Sequence, residues 1–115
     1  MAGKPQELSL LEFHVLLALA GGPRYGYALK TAVEDESRGA IAPRAGSLYR
    51  VLSRMMAAGL VREARPEDAE PHPGLERRYY TLTGSGRHVL GAEAHRLKHA
   101  AVLAEKRLGW ASGRS

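Results

Sequence analysis

The spacing of apolar and polar positions changes near the middle of the chain, from a helical period to a partly alternating one. Ser9-Leu10-Leu11-Glu12 has the form of a capping box, in which Ser9 accepts from a free backbone amide and Glu12 reaches back to the Ser9 amide. Leu11, Val15, Ala18 and Leu19 follow at helical spacing, and Leu10, Phe13 and Leu17 add a second apolar row. This predicts a central core helix with little surface left for water, ended by Gly21-Gly22-Pro23. From Tyr25 to about Glu36, a stripe of Tyr25, Ala28, Leu29, Ala32 and Val33 predicts an amphipathic surface helix, broken by Ser37-Arg38-Gly39. Pro43 suits the first turn of a third helix, where its missing amide costs nothing, and Gly59 suits a left-handed cap after Ala58.

After Gly59 the residues 60–65 and 77–82 are short, partly alternating segments around the Pro-, Gly- and acid-rich stretch PEDAEPHPGLE, the pattern of a β-hairpin with a long mobile tip. Thr83 can cap a last helix from Gly84 to Leu108, whose early glycines each disfavour it by about 1 kcal/mol relative to alanine. That helix must therefore be held by packing. Helix, helix, helix across a short connection, then a hairpin and a helix, is the order of a mainly α (α+β) winged helix-turn-helix domain with a C-terminal helix. The expected division is a winged helix-turn-helix unit over residues 1–83, a dimerisation helix over 84–110 and a disordered tail over 111–115.

In that order the third helix takes the recognition position. At about 100° per residue, Leu48, Val51, Leu52 and Met55 share one face, while Gly46, Arg50, Ser53, Arg54 and, toward one edge, Ser47 share the other. A helix entering a major groove needs small residues for close approach and cationic or hydrogen-bonding side chains for bases and phosphates. Arg50 and Arg54 lie one turn apart, and either can fork onto a guanine or clamp a phosphate; Ser47 and Arg44 suit phosphate contact at the helix start. An exposed arginine face is also a common solvated surface. Here it precedes a hairpin carrying Arg62, Arg65, Arg77 and Arg78, which can lay cations on the neighbouring DNA backbone, and that position favours double-stranded DNA as the partner.

Bulk composition narrows the picture further. The 115 residues, 44% hydrophobic and 25% charged, suit one compact domain. A formal net charge of +5 favours a polyanionic partner, although many basic proteins touch no nucleic acid. With no cysteine there is neither a disulfide nor a thiolate metal site, which fits a reducing cytoplasm. The longest apolar run, Val15 to Ala20, is far short of the roughly 20 residues that span a bilayer, and the N-terminus lacks a signal-peptide core, so no membrane association is expected.

Four segments in order, Gly22-Pro23-Arg24-Tyr25-Gly26-Tyr27-Ala28-Leu29, Gly46-Ser47-Leu48-Tyr49-Arg50-Val51-Leu52, Gly59-Leu60-Val61 and Arg77 through Gly86, resemble the successive signatures of the PadR family of bacterial transcriptional regulators. The resemblance covers roughly Leu8 to Leu90. It implies a winged-helix homodimer on a palindromic operator, usually a repressor, and it implies for Tyr49 and the Tyr25-Gly26-Tyr27 run a role in packing the domain or touching the DNA backbone. Two departures stand out. Arg50 occupies a position where the family often has proline, and Met55-Met56-Ala57-Ala58 replaces a more charged segment. A single helix after the wing matches the short subgroup.

Leu90, Ala94, Leu97, Ala101, Ala104 and Leu108 follow alternating four-three spacing, the seam of a helix packed lengthwise on another, and such a helix outruns a small wing domain. A homodimer is therefore expected. His88, His95 and His99 lie on another stripe without acidic or cysteine companions, the pattern of a solvated basic face rather than a metal site. Trp110, just past Gly109, can line a site for a small aromatic or apolar effector between subunits, or cover the helix end. The competing function is a winged-helix protein-interaction module whose basic face serves solubility. No P-loop, nucleophile elbow or plausible nucleophile, base and orienter set is present, so no enzyme and no cofactor are expected.

Overall fold

The computed structural model describes residues 7–64 and 78–110. Along the chain run α1 (Leu10–Ala20), β1 (Arg24–Tyr25), α2 (Gly26–Glu36), α3 (Ala45–Ala57), β2 (Val61–Ala64), β3 (Tyr79–Leu82) and α4 (Gly84–Leu108). The capping box forms as the sequence predicts: Glu12 N–H donates to Ser9 Oγ at 3.1 Å and Ser9 N–H donates to Glu12 Oε1 at 2.8 Å. Gly59 takes the left-handed conformation after α3 (φ 78°), and the Thr83 side chain caps α4.

The sheet has three strands rather than the two of a hairpin, in the order β1-β3-β2 and antiparallel throughout. Arg24 pairs with Tyr80 and Tyr25 with Tyr79, so Tyr25 belongs to a strand and caps α2 instead of opening it. Only the pairing with β3 reveals β1, because two residues carry no readable alternation. On β3, Tyr80 and Leu82 point into the core, with Leu82 opposite the buried Val61 of β2. The ends predicted for the two strands at residues 65 and 77, with the tip between them, lie outside the described residues, as do residues 111–115.

Val15, Leu16, Ala18 and Leu19 of α1 meet Leu29, Ala32 and Val33 of α2, Leu48, Val51, Leu52 and Met55 of α3, and Leu60, Val61, Tyr80 and Leu82. The expectation that α1 shows little surface to water is corrected here. Of its second apolar row, Phe13 is half-buried but Leu10 and Leu17 are 57% and 37% exposed, because α2, α3, α4 and the sheet cover only the other sides. Pro43 also differs from expectation. It is buried immediately before the α3 N-cap, which is Arg44, rather than inside the first turn. The connection between α2 and α3 spans residues 37–44, longer than a tight turn, and is pinned where Ile41 N–H donates to Ser37 Oγ at 2.9 Å.

The junction of α3, β2 and α4 fixes where the last helix leaves the domain. Thr83 N–H donates to the Leu60 carbonyl at 3.1 Å, Thr83 Oγ1 donates to the Gly59 carbonyl at 2.6 Å, and Gly86 N–H donates to Thr83 Oγ1 at 3.0 Å. A Cβ on Gly86 would lie 2.1 Å from the Leu60 carbonyl oxygen, whereas one on Gly91 would meet nothing within 4 Å. Gly86→Ala is therefore expected to destabilise the protein by about 1–3 kcal/mol through a forced backbone shift, and Gly91→Ala to stabilise it by up to about 1 kcal/mol through helix propensity alone. Chemical denaturation at one fixed protein concentration checks both; equal effects would mean that the junction is not close-packed.

Candidate nucleic-acid interface

Helix α3 contains no acidic residue, and its buried side, Leu48, Val51, Leu52 and Met55, leaves Gly46, Arg50 and Ser53 at the centre of the outward side. Each flank is anchored to a different helix. On one flank, Tyr49 passes over the start of α2, so close that a Cβ on Gly26 would lie 2.4 Å from its hydroxyl oxygen. A larger residue at position 26 would push the Tyr49 ring aside, and Gly26 has no positive φ that would itself call for glycine. On the other flank, Arg54 Nη2 donates to Glu12 Oε2 of α1 at 3.1 Å.

Of the cations named from the sequence, Arg50 is exposed and donates through Nη2 to Ser47 Oγ at 3.3 Å, one turn back on the same helix. Arg44 is exposed at the N-cap of α3. On the strands, Arg62 is exposed on β2 and Arg78 precedes β3, where its guanidinium stands 3.9 Å from the Glu63 carboxylate. Arg65 and Arg77 lie outside the described residues. Tyr27 is exposed in the first turn of α2, and Tyr49 is half exposed. Burial pushes the Tyr80 hydroxyl above its ordinary range, and the nearby Tyr49 and Glu63 push in the same direction. It stays a neutral, core-facing anchor beneath this surface.

Glu12 is the residue whose second role the sequence does not disclose. One carboxylate oxygen closes the capping box and the other holds Arg54, 42 positions away. Burial raises its pKa, but the Ser9 amide and the Arg54 guanidinium outweigh that effect, and the carboxyl titrates below the ordinary glutamate value. Arg24 has a comparable bridging role: its Nε donates to the Ala18 carbonyl at 2.9 Å, closing the end of α1, while Nη2 stands 3.9 Å from Glu36 at the end of α2.

Away from this surface, Ala94, Leu97, Ala101, Ala104 and Leu108 are exposed along α4, and only Leu90 of the seam packs partly on the core. His88, His95 and His99 are not buried, and among the described residues no group of three or more histidine, aspartate or glutamate side chains could hold a metal ion. Trp110 is 62% exposed, its backbone N–H donating to the Glu105 carbonyl at 2.8 Å beyond the left-handed Gly109. Among the described residues, no helix is long and apolar enough to cross a membrane.

The model of the transcriptional regulator PadR-like family matches residues 15–92. An uncharacterized 37.1 kDa protein in a transposon of Streptomyces fradiae is 41% identical over 81 residues, which are 70% of this chain and 21% of that protein, so the chain spans about a fifth of the length of this curated relative. Among solved structures, a PadR-like transcription factor of Bacteroides fragilis shares 27% identity at a TM-score of 0.69, covering 84% of this chain and 88% of that one. A PadR-like regulator of Bacillus cereus shares the fold at 23% identity and a TM-score of 0.70, over 86% and 91% of the two chains. Bacillus subtilis PadR in complex with operator DNA shares it at 22% identity and a TM-score of 0.61, over 75% of this chain and 47% of that one.

The lowered pKa of Glu12 has a sign that can be tested with Glu12→Gln, which keeps an acceptor for the Ser9 amide and removes the charge. The stability that the carboxylate contributes is fully present above the ordinary glutamate pKa and is lost as pH falls through the lower folded value. The wild type is therefore expected to exceed the variant in stability near neutrality, and the gap to close on acidification. Denaturation of both proteins from about pH 7 to about pH 3 measures it; a gap that persists at the acid end would contradict the assignment.

Proposed function

This chain belongs to the transcriptional regulator PadR-like family, and from that premise we propose that it acts as a homodimer which binds a palindromic operator in double-stranded DNA, most simply as a repressor. Members of the family regulate transcription and are not enzymes. The observation that carries the finer reading is the outward side of α3: Gly46, Arg50 and Ser53 at its centre, with no acid on the helix, with Arg62 on β2 and with Arg78 just before β3. Small residues allow the backbone to approach a groove, Arg50 can reach a base edge or phosphate, and Arg62 and Arg78 can sit on the neighbouring backbone. Tyr27, Arg44, Ser47, Tyr49 and Arg54 ring this centre and suit sugar-phosphate contacts. Bacillus subtilis PadR, which shares the fold, forms a complex with operator DNA, and this supports DNA as the partner.

Dimerisation is supported by apolar surface that this subunit leaves uncovered. The exposed seam of α4 has alanines at half its positions, which permits close helix approach, and Leu10 and Leu17 give α1 an outer apolar stripe. A second copy buries both. Two-fold symmetry then sets two α3 helices about one DNA turn, roughly 34 Å, apart. Trp110 supplies an exposed aromatic at the end of α4 for a small apolar effector, which would act by changing the angle between subunits and hence that spacing.

Two measurements test this reading. Arg50→Glu is expected to weaken binding to a duplex selected by the wild-type protein from a randomised pool by about 30-fold or more, since each subunit loses about 1–3 kcal/mol of contact. Fluorescence anisotropy at two salt concentrations reads it; unchanged affinity would favour a protein-interaction module instead. Leu97→Asp is expected to give a monomer by sedimentation and to lower DNA affinity by roughly 100-fold through loss of the linked half-site. A dimer that survives Leu97→Asp would place the interface elsewhere.

A further inference from the structure

Arg54 differs from the other cations of the interface in being tied to a carboxylate on a different helix. The Arg54 side chain is 59% exposed and the Glu12 side chain 13%, so the mobile end of the pair is the arginine and the fixed end is the glutamate. Glu12 is fixed because its other oxygen holds the Ser9 amide at 2.8 Å in the first turn of α1. A guanidinium has five N–H donors in a planar fork, and the Glu12 bond uses Arg54 Nη2. The remaining donors of the fork stay available on the exposed side. A free arginine gives up rotamer entropy when it is ordered; here a half-buried partner supplies part of that ordering before DNA arrives.

We propose that Glu12 is a positioning residue for Arg54: it presents the guanidinium in one orientation at the edge of α3 and so raises the discrimination of the protein between its operator and unrelated DNA. The inference rests on the reading of α3 as the DNA-facing helix. Released from Glu12, Arg54 becomes a mobile cation that adds to attraction for any phosphate backbone and contributes less to choosing among sequences. The same bond joins α1, whose opposite side is the uncovered Leu10 and Leu17 stripe, to the recognition helix, so the placement of α1 and the aim of Arg54 are mechanically linked.

The test is a double-mutant cycle of Glu12→Gln and Arg54→Gln, read as the ratio of affinities for the pool-selected duplex and for a scrambled duplex of equal length. Glu12→Gln removes one negative charge near DNA, so simple electrostatics raises affinity for both duplexes alike. Positioning predicts instead that the ratio falls, by about tenfold, which corresponds to about 1.4 kcal/mol at RT ln 10. In the Arg54→Gln background, the same change is expected to leave the ratio unaltered. A ratio untouched by Glu12→Gln, or one that falls equally in both backgrounds, overturns the proposal; the second result would make Glu12 only a structural residue of α1. If the wild-type protein selects no sequence from the pool, the DNA-binding reading itself fails and takes this inference with it. If Arg50→Glu abolishes selection while the cycle shows no coupling, only the role of Glu12 is lost.

Discussion

The Leu60 carbonyl is the point on which the arrangement of this protein turns. It accepts the Thr83 amide, and Gly86 is pressed against it so closely that no side chain fits between. Thr83 binds backbone on both sides, donating to the end of the α3 turn at Gly59 and accepting from the first turn of α4 at Gly86. Three elements are therefore joined within a few ångströms by hydrogen bonds that leave few backbone groups unsatisfied at the start of α4. The direction in which α4 leaves the domain follows from this contact, and with it the direction of the apolar seam that the helix carries.

The same economy governs α3. Its core side is ordinary amphipathic burial, but its two flanks are held by unlike devices: an aromatic ring laid over a glycine at the start of α2, and a charge pair to the capping residue of α1. The buried side of α3 sets which way the helix faces, and Arg50 and Ser53 lie on its outward side. Arg24 performs the matching task behind it, closing the last turn of α1 and reaching Glu36 at the end of α2. The first helices are thus tied at their ends as well as packed along their lengths.

Large apolar side chains are left exposed on α1 and α4, as are Tyr27 and Tyr49 beside the cationic side of α3. Leu10 and Leu17 on α1 and Leu97 and Leu108 on α4 are each large and exposed, and among the described residues no element covers them. A hydrophobic stripe at helical spacing on the solvent side signals a partner more strongly than scattered exposed leucines would.

Much of this was legible in the residues. The capping box, the glycine after α3, the Thr83 cap and the full extent of α4 were readable because each depends on residues within one or two turns of one another, where local stereochemistry decides. The outward set of α3 was readable for the same reason: 3.6 residues per turn convert spacing into a face without reference to the rest of the fold. Other features were not. The second apolar row of α1 looked buried because periodicity reports which residues share a side, not whether another element covers that side. The strand β1 has no pattern of its own and exists only as a pairing with β3. The Glu12 bond to Arg54, the ring of Tyr49 over Gly26 and the seat of Gly86 on Leu60 join residues far apart in the chain. Local residue preferences determined that the four helices form and how α1 and α4 are capped; only the packing of those elements decided that position 86 must be glycine, which arginine was tied, and which leucines were left exposed.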